Sequence, residues 1–354
     1  MSKKLRAALV FAACGAMFGL SHISCASDPK HRKGFPMHHT DSGFRNYPIA
    51  PTSAPKGFRF YIRRVMGSVF TATAPEDHSL SEEEALLQYR KLEERDSVTW
   101  LGHSTFLLKA GGRVILTDPY LTTWASPTPV GGPRRYVPPG ISIKNLPRID
   151  IIIVSHDHYD HLDSDTIEKL PGKEETYVLA PLGLGSFFKE RGYKNVKELD
   201  WDQSFDVEGL KITALPAMHD SGRKLGKLNS ALWCSWAIEH DGRKFYYGGD
   251  TAYSKTIFKK IGEDFISFDL AIVPIGGYEP REVMWMSHVN PEEAVQIGLD
   301  TKAANIVAGH WGTIDLSDEP ILEPPRRFMK AALKNGFDED RAWLMKIGET
   351  RVVP

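Results

Sequence analysis

Short apolar runs recur along the chain, and most of them end at a glycine, a histidine or an aspartate. Runs of this length, rich in β-branched and aromatic residues, are typical of buried strands. Four of them are DIIIVSH (150–156), KFYYGGD (244–250), FDLAIVPIGG (268–277) and NIVAGHWG (305–312). A longer segment, VTWLGHSTFLLKAGGRVILTDPYL, contains two such runs joined by Ala110-Gly111-Gly112, which predicts a hairpin.

Two stretches carry the signals that start helices. Ser81 stands three residues before Glu84, and apolar positions follow, so a capping box is predicted to open a helix there. Asn290 precedes Pro291, which places a good N-cap before proline at the first helical position. Because strands alternate with helical stretches, the pattern predicts an α/β domain with its helices outside.

The first 25 residues have the pattern of a signal peptide. A positively charged start (Lys3, Lys4, Arg6) precedes an apolar run over residues 7–20. That run is too short and wrongly flanked for a membrane-spanning helix. We therefore expect an exported protein of a bacterial envelope.

The end of this segment indicates lipidation. SHISC, which ends at Cys25, resembles a bacterial lipobox, in which the cysteine becomes the lipidated first residue of the mature protein. His22 stands where that box usually has an aliphatic residue, and FAAC, which ends at Cys14, is a shorter rival. The expected location is the periplasmic face of a membrane through a lipid anchor at Cys25, with ordinary secretion as the alternative.

Residues 26–80 are rich in Pro, Gly, His and basic residues, and we expect an extended arm before a catalytic domain over residues 81–354. Two acidic residues, Asp28 and Asp41, oppose eight basic ones between residues 26 and 64 (Lys30, Arg32, Lys33, Arg45, Lys56, Arg59, Arg63, Arg64). Beside a lipid anchor, such an arm could lie on anionic headgroups. The alternative is an arm wrapped over the main domain.

Composition sets only broad limits. A length of 354 residues with 42% hydrophobic and 25% charged residues is ordinary for a globular protein. The formal net charge of −1 gives no global field that would attract nucleic acid, so no nucleic-acid partner is expected. Cys234 alone lies in the body of the chain, which excludes an internal disulfide framework. The oligomeric state stays open, with a homodimer as one possibility.

Candidate chemistry is concentrated in VSHDHYDHLD, directly after the isoleucine run. Side chains two apart on an extended segment point the same way, so His156 and His158 are expected to face one site. Asp160 and His161 come just after, where the chain turns and can supply a second site. Imidazole nitrogens and carboxylate oxygens suit zinc, so the segment predicts a metal site.

Three other strand ends offer further ligands. His219 follows ITALPA, Asp250 follows KFYY, and His310 follows NIVA. A single histidine or aspartate at a strand end is often only a cap or a buried hydrogen-bonding group. The repetition of strand and ligand along the chain supports all three together.

The order H-x-H-x-D-H, then a histidine, an aspartate in GDT and a last histidine resembles the metallo-β-lactamase superfamily of hydrolases. The resemblance implies an αββα sandwich with two zinc ions at the rim between its sheets. It implies one zinc on His156, His158 and His219, a second on Asp160, His161 and His310, and Asp250 as the bridge. The flavin-linked di-iron branch typically has glutamate in place of His158, so hydrolysis with zinc is expected rather than electron transfer.

Longer segments resemble the family of N-acyl phosphatidylethanolamine-hydrolysing phospholipases D. They run from about Val98 to Glu349 and include WLGHSTFLL, GGDTAY, FDLAIVPIGGYEPREVM, HVNPEEAV and HWGTIDLSDEPILEPP. The resemblance implies a phospholipid substrate that is cut on the ethanolamine side of its phosphodiester. The products would be an N-acylethanolamine and phosphatidic acid.

The same resemblance suggests residues that contact the substrate. His288 matches a family histidine near the substrate and could give a proton to the leaving group. Arg223 could bind a phosphate oxygen. Tyr278 and Trp285 lie in matching segments and are candidates for substrate binding, with the apolar run around Trp285 as a possible wall for acyl chains. The alternatives are that His288 and Arg223 are ordinary surface residues and that the apolar run only packs in the core.

His103, in LGHS, and Asp118, in TDP, are candidates for orienting the metal ligands, although both could serve only the structure of the hairpin. Two other functions remain open. One is a zinc hydrolase of the same fold that acts on a lactone, a phosphonate or another ester or phosphodiester. The other is a non-enzymatic envelope lipoprotein with a vestigial site.

Overall fold

A computed structural model describes residues 30–48, 73–127, 132–223 and 227–354. The predicted signal peptide, Cys14 and Cys25 lie outside these residues, as does the middle of the predicted arm. Within the described ranges, no helix has the length and apolar content needed to cross a bilayer.

The first described part of the arm, residues 30–48, contains a small hairpin of strands β1 (His39–Thr40) and β2 (Gly43–Phe44). It does not extend away from the molecule. Its backbone bonds to the main domain where the N–H of Phe44 donates to the carbonyl of Asn229 at 2.8 Å. This agrees with an arm that packs against the main domain.

The first large sheet has seven strands in the spatial order β16-β3-β4-β5-β6-β7-β8. The strands are β3 (Ser97–Gly102), β4 (Thr105–Ala110), β5 (Arg113–Thr117), β6 (Ile151–Ile153), β7 (Tyr177–Pro181), β8 (Asn195–Leu199) and β16 (Thr350–Val352). Pairing is antiparallel from β16 to β5 and parallel from β5 to β8.

The second large sheet has the same construction, in the order β15-β14-β13-β12-β11-β10-β9. The strands are β9 (Ser204–Val207), β10 (Leu210–Leu215), β11 (Ser235–His240), β12 (Arg243–Tyr247), β13 (Phe268–Pro274), β14 (Ala303–Gly309) and β15 (Ala342–Trp343). Pairing is antiparallel from β9 to β12 and parallel from β12 to β15.

The isoleucine run shows why the core strands are apolar on both faces. Ile151 and Ile153 pack into the large cluster shared by the two sheets, while Ile152 packs into a separate cluster beneath helices. Side chains alternate across a strand, so a strand covered on both sides must be apolar at every position. The αββα sandwich predicted from the sequence is confirmed.

The helices cover the outer faces of the two sheets. They are α1 (Glu82–Lys91), α2 (Ser164–Lys169), α3 (Gly185–Lys189), α4 (Lys255–Asp264), α5 (Arg281–Met284), α6 (Pro291–Asp300) and α7 (Glu323–Lys334), with a 3₁₀ turn at Ile143–Asn145. Both predicted helix starts are confirmed, because Ser81 with Glu84 and Asn290 with Glu293 form complete capping boxes.

The segment from Val98 to Leu121 is predicted as two runs, and in this respect the prediction is wrong. Its first run is two strands, β3 and β4, that reverse direction after Gly102. Gly102 and His103 have φ angles of 101° and 54°, and this left-handed backbone ends the strand. The predicted hairpin at Gly111 is confirmed as the turn between β4 and β5.

Candidate metal centre

The predicted ligands meet because they follow the ends of strands that share one rim. His156 comes after β6, Asp250 after β12 and His310 after β14, and the ends of parallel strands lie along the same edge of a sheet. His219 comes after β10 of the second sheet. The rim between the two sheets therefore holds all the ligands that the sequence predicts.

Three histidines form the first group. Nε2 of His156 lies 2.9 Å from Nδ1 of His158, and Nε2 of His219 lies 3.3 Å from the same Nδ1 atom. Ligand nitrogens around a tetrahedral zinc ion are about 3.4 Å apart, given zinc–nitrogen distances of about 2.0–2.1 Å. The spacing of the three inward nitrogens therefore suits a single small cation.

Asp160, His161 and His310 form the second group, and His103 lies within the same cluster. Oδ2 of Asp160 is 3.5 Å from Nε2 of His161 and 3.8 Å from Nε2 of His310. The group combines carboxylate and imidazole, as the sequence predicts for the second site.

Asp250 stands between the two groups. Its Oδ2 atom lies 3.1 Å from Nε2 of His161, 3.1 Å from Nε2 of His310 and 3.8 Å from Nε2 of His219. The side chain is 1% exposed, so the carboxylate faces the ligands rather than solvent. This is the placement that a bridging ligand needs.

In four of the ligand histidines, the ring nitrogen that points away from the centre meets an oxygen, whereas Nδ1 of His310 is buried without a hydrogen-bond partner among the described residues. The pairs are His156 Nδ1 with Ser155 Oγ (2.9 Å), His161 Nδ1 with Asp118 Oδ2 (2.7 Å), His158 Nε2 with Asp220 Oδ1 (3.3 Å) and His219 Nδ1 with the Ser287 carbonyl (2.9 Å). A proton on each outward nitrogen leaves the inward nitrogen with a free lone pair, which is the form that binds metal.

Several inward atoms have no hydrogen-bond partner among the described residues. They include Nε2 of His161, Nε2 of His310 and Oδ1 of Asp250, all buried. An unsatisfied buried polar atom costs about 1–3 kcal/mol. Ligation of a cation would satisfy these atoms, so the residues present fit a metal centre.

The charges of the site also fit a cation. Burial opposes ionisation of Asp160 and Asp250, but the neighbouring His161 holds the pKa of both carboxyl groups well below the usual range. Burial disfavours the protonated form of His310, yet Asp250 and Asp160 raise its pKa to about 9. The carboxylates therefore hold positive charge at this point, and a bound metal ion would replace the protons.

Asp118 lies at the centre of the hydrogen bonds that support this site. It accepts the backbone N–H of Ser155 (2.6 Å), the hydroxyl of Ser155 (2.5 Å), the hydroxyl of Tyr247 (2.6 Å) and Nδ1–H of His161 (2.7 Å). Asp118 is fully buried. These contacts suit the orienting role predicted from the sequence, whereas the roles of Ser155 and Tyr247 were not predicted.

His103 contacts a predicted ligand. Its Nε2 atom lies 2.8 Å from Oδ2 of Asp160, and its ring centroid is 4.1 Å from that of His310. Burial, together with His310, lowers the pKa of His103 to about 3. A neutral His103 that donates Nε2–H to Asp160 would fix the direction of that carboxylate.

His288 reaches the centre from the loop before α6. Its Nδ1 atom lies 3.8 Å from Oδ2 of Asp250, and the atom is buried without a hydrogen-bond partner among the described residues. Its ring centroid is 5.2 Å from that of His219. Burial lowers the pKa of His288 to about 3, so the imidazole is neutral near pH 7. The structure therefore places His288 in the site, and its predicted part in proton transfer stays a prediction.

The donors of Arg223 are engaged within the chain. Its guanidinium donates to the carbonyls of Asp157 and Leu162 and to the hydroxyl of Ser164, at 3.1, 2.6 and 2.6 Å. The group also lies 4.1 Å from the ring centroid of Tyr159. These contacts support the ligand-bearing loop, and a phosphate contact by Arg223 stays a prediction.

Tyr278 and Trp285 occupy different environments. Tyr278 is buried, and its hydroxyl donates to Oε1 of Glu323 at 2.9 Å. Trp285 is half-buried at the end of α5. Their predicted contacts with a substrate remain predictions.

A small, open cleft of about 40 Å³ adjoins His103 and His310. Its apolar lining residues include Tyr136, Trp311, Ile314, Leu316 and Ile321. Of the described residues, neither Tyr278 nor Trp285 lines this cleft. Asp315, Ser317 and Glu319 also line the cleft, so apolar and polar surface meet beside the second group of ligands, which the sequence did not indicate.

Known proteins share both sequence and fold with this chain. A protein-family model described as Beta-lactamase superfamily domain matches residues 113–311. An uncharacterized protein of Mycobacterium tuberculosis is 43% identical over 250 residues, which cover 69% of this chain and 66% of that protein. The N-acyl-phosphatidylethanolamine-hydrolyzing phospholipase D 1 of Caenorhabditis elegans is 42% identical over 237 residues, covering 64% of this chain and 67% of that protein. The chain thus spans about two thirds of the length of these relatives.

Among solved structures, the isothiocyanate hydrolase from Delia radicum gut bacteria superposes with a TM-score of 0.58 at 21% identity, covering 72% of this chain and 98% of that one. This likeness concerns the fold. The relatives and the clustered imidazoles and carboxylates support a metal-dependent hydrolase. Because the matched domain covers more than half of its residues, the chain belongs to the beta-lactamase superfamily.

Proposed function

We propose that this chain is a dinuclear zinc phosphodiesterase that hydrolyses N-acyl phosphatidylethanolamine to N-acylethanolamine and phosphatidic acid. One observation carries the proposal. A chain 42% identical to a worm N-acyl-phosphatidylethanolamine-hydrolyzing phospholipase D also brings the complete set of predicted ligands to one rim. An imidazole and carboxylate set of this kind suits hard or borderline divalent cations such as zinc.

In this proposal, the two ions are held by separate groups of ligands. His156, His158 and His219 would hold one ion, and Asp160, His161 and His310 would hold the other, with Asp250 between them. When bound, such a pair supplies Lewis acidity and a nucleophile at neutral pH.

The chain's own residues would manage the protons. His288 is neutral, and its unpartnered Nδ1 atom faces the centre beside Asp250. It could take the proton of the attacking water and return it to the ethanolamine oxygen as the bond from phosphorus to that oxygen breaks. The nucleophile's oxygen would then remain on phosphatidic acid, and the N-acylethanolamine would leave with its own oxygen.

The cleft beside His103 supports a substrate with an apolar part. Its aromatic and aliphatic lining lies next to ligands that would face the phosphate. Apolar walls with a few polar groups at one end are typical of sites for small amphipathic molecules. We propose that this cleft takes part of the lipid.

Product analysis tests the proposed function. Purified full chain, loaded with zinc, is incubated with N-acyl phosphatidylethanolamine of defined chains, and the products are identified by mass. Phosphatidic acid and N-acylethanolamine in equal amounts are expected. Release of free fatty acid would contradict the proposal, as would no turnover of the lipid while a lactone or simple phosphodiester is cut efficiently.

The two alternatives predict different results. A hydrolase of another ester, lactone or phosphodiester would turn over one member of a substrate panel and leave the phospholipid intact. A vestigial lipoprotein would bind less than half a metal ion per chain and cut nothing. The complete ligand set favours a working enzyme over the vestigial form. So do the hydrogen bonds at Nδ1 of His156 and His161, which leave their Nε2 atoms free to bind metal.

His288→Gln is expected to lower kcat for the phospholipid by roughly a hundredfold, because general acid–base groups contribute about 10²–10⁴-fold. KM should change by less than roughly threefold, since only the proton transfer is lost. Steady-state kinetics at equal metal content measures both constants. His240→Gln, at the turn between β11 and β12 and away from the ligands, is the matched control. A larger change in KM than in kcat would show that His288 binds substrate instead.

The proposed location is a membrane face, reached through a lipid on Cys25. The described part of the arm exposes basic and apolar side chains that suit anionic headgroups (Lys30, Arg32, Lys33, Phe35, Met37, Tyr47). The basic side chains of the arm would add to the affinity of the lipid anchor for anionic membranes.

Cys25→Ser is expected to move the protein from the membrane to the soluble fraction of bacterial cells and to abolish its labelling by radioactive fatty acid. Cys14→Ser, the rival site, should leave both unchanged. Fractionation and metabolic labelling provide the measurements. A wild-type protein that never takes up label would contradict lipidation and favour ordinary secretion.

A further inference from the structure

Asn46, on the arm, holds the backbone of the predicted ligand His219 from both sides. Its Oδ1 atom accepts the N–H of His219 at 3.1 Å, and its Nδ2–H donates to the carbonyl of His219 at 2.8 Å. The two residues are 173 positions apart in the chain. The side-chain amide of Asn46 thus makes the two backbone hydrogen bonds to His219 that a neighbouring strand would otherwise make.

The direction of the Asn46 amide is fixed by its surroundings. Oδ1 also accepts Nε1–H of Trp233 at 3.1 Å, so two donors converge on the oxygen and one acceptor meets the nitrogen. The reversed amide would set N–H groups against N–H groups. The contact is therefore specific for an amide side chain.

Two buried histidines fasten the arm near this contact. Nε2 of His38 and Nε2 of His39 lie 2.7 and 2.8 Å from the two oxygens of Asp200. The His38 ring also stacks on Trp201 with 4.1 Å between centroids. These contacts, here called the arm latch, hold residues 38 and 39 on the main domain.

The arm latch has ligand types that suit metal, but its distances favour direct hydrogen bonds. Each carboxylate oxygen of Asp200 has its own imidazole at 2.7–2.8 Å, which is the range of charge-assisted N–H···O bonds. Ligand atoms around a zinc ion would lie about 3.4 Å apart. The arm latch is therefore a set of hydrogen bonds that holds the arm on the main domain. Any effect of the latch on the metal centre must pass through other arm residues, such as Asn46.

A second contact joins the arm to the same loop. A Cβ atom on Gly43 would lie 2.1 Å from the carbonyl oxygen of Asn229, so the arm meets this segment backbone to backbone. Asn229 in turn donates its N–H to the carbonyl of Ser221 at 2.8 Å and accepts the N–H of Ser221 at 3.0 Å. The loop around His219 is thus supported on both sides by the arm.

We infer that Asn46 is a positioning residue for His219, and that docking of residues 30–48 gives the first metal group its full affinity. The inference rests on the proposed function, because it assumes that His156, His158 and His219 bind metal. The physical basis of the inference is that two contacts orient the His219 imidazole: its own backbone and the hydrogen bond from Nδ1 to the Ser287 carbonyl. Loss of the Asn46 contacts would free the backbone of His219, while the hydrogen bond between its ring and Ser287 would remain.

Metal affinity of the full chain tests this inference. Metal-free wild type, Asn46→Ala and Asn46→Asp are titrated with zinc against a chromophoric chelator. Wild type should bind two equivalents. Asn46→Ala should weaken one equivalent by roughly tenfold to a hundredfold, the range found when groups that orient ligands are removed, and leave the other nearly unchanged. Asn46→Asp keeps the shape and the acceptor for the His219 N–H but loses the donor to the His219 carbonyl, so it should weaken the same equivalent and leave the other nearly unchanged.

The arm latch provides a second, independent variant. His38→Gln with His39→Gln should weaken the same equivalent, because the latch acts through Asn46. Added to Asn46→Ala, it should cause little further loss, since residues that act as one unit are not additive. Ser42→Ala, exposed on the same arm, is the matched control and should bind zinc as wild type.

The outcomes separate the two proposals. Wild type that binds no zinc overturns the proposed function. Wild type with two equivalents, and Asn46 variants with both affinities unchanged, overturns the inference alone. Equal weakening of both equivalents in Asn46→Asp, with a lowered melting temperature, also overturns it, because Asn46 would then serve only general stability.

Discussion

Asp250→Asn is expected to lower kcat/KM by roughly a thousandfold or more, equivalent to about 4 kcal/mol, because a metal pair contributes several kcal/mol to hydrolysis. Asp250 is the carboxylate that lies within 4 Å of histidines from both ligand groups. Asparagine keeps the size of the side chain but loses the negative charge that would bridge two cations. Activity and metal content per chain are measured on the same preparation.

The matched control for this variant is Asp241→Asn, at the exposed turn between β11 and β12. The residue has a φ of 44°, a conformation that asparagine tolerates, so the control should keep full activity and metal. An Asp250→Asn protein with wild-type activity, or with two ions bound at wild-type affinity, would contradict the bridging role.

Asp118→Asn is expected to weaken metal binding by roughly tenfold to a hundredfold and to lower kcat/KM by a similar factor, because it removes the group that orients a ligand. Asp118 accepts hydrogen bonds from Ser155, Tyr247 and His161. An amide would put an N–H group against one of these donors. The buried mismatch should also reduce the free energy of unfolding by about 1–3 kcal/mol.

Chelator competition and urea unfolding measure the two effects of Asp118→Asn separately. Asp150→Asn is the matched control, because its carboxylate accepts the N–H of Val114 at the opposite end of β6, away from the ligands. It should lose stability without losing metal affinity. If both variants lose only stability, Asp118 supports the sheet and not the metal centre.

The ligands could be predicted from the sequence because they are placed by strand ends. A short apolar run fixes where a strand stops, and the few residues after it reach the rim of the sandwich. His156, His219, Asp250 and His310 all follow this rule. The same local reasoning predicted both helix starts, since an N-cap residue and the first helical residues that it serves are neighbours in the chain.

The supporting contacts could not be predicted, because they join residues that are far apart in the chain. Tyr247 reaches Asp118 across 129 positions, and Asn46 reaches His219 across 173. No spacing in the sequence indicates such a pair. The division of the first run into β3 and β4 at His103 was missed for another reason. The run reads as one strand, and the left-handed backbone at Gly102 and His103 that divides it depends on tertiary contacts, including the 2.7 Å bond from the N–H of His103 to Thr313.

Arg223 shows the limit of inference from residue type. An arginine in a matching segment suggests a phosphate contact, yet its donors meet Asp157, Leu162 and Ser164. Burial lowers its pKa from the usual value. The structure supplies these partners, and a sequence cannot show that a donor is already engaged.

Hydrolysis in ¹⁸O-labelled water tests the central proposal most directly. Zinc-loaded wild type is incubated with N-acyl phosphatidylethanolamine, and both products are analysed by mass. Attack at phosphorus predicts phosphatidic acid that carries one ¹⁸O atom and an unlabelled N-acylethanolamine. Label in the N-acylethanolamine, label in a released fatty acid, or no turnover by protein with its metal bound would contradict the proposal.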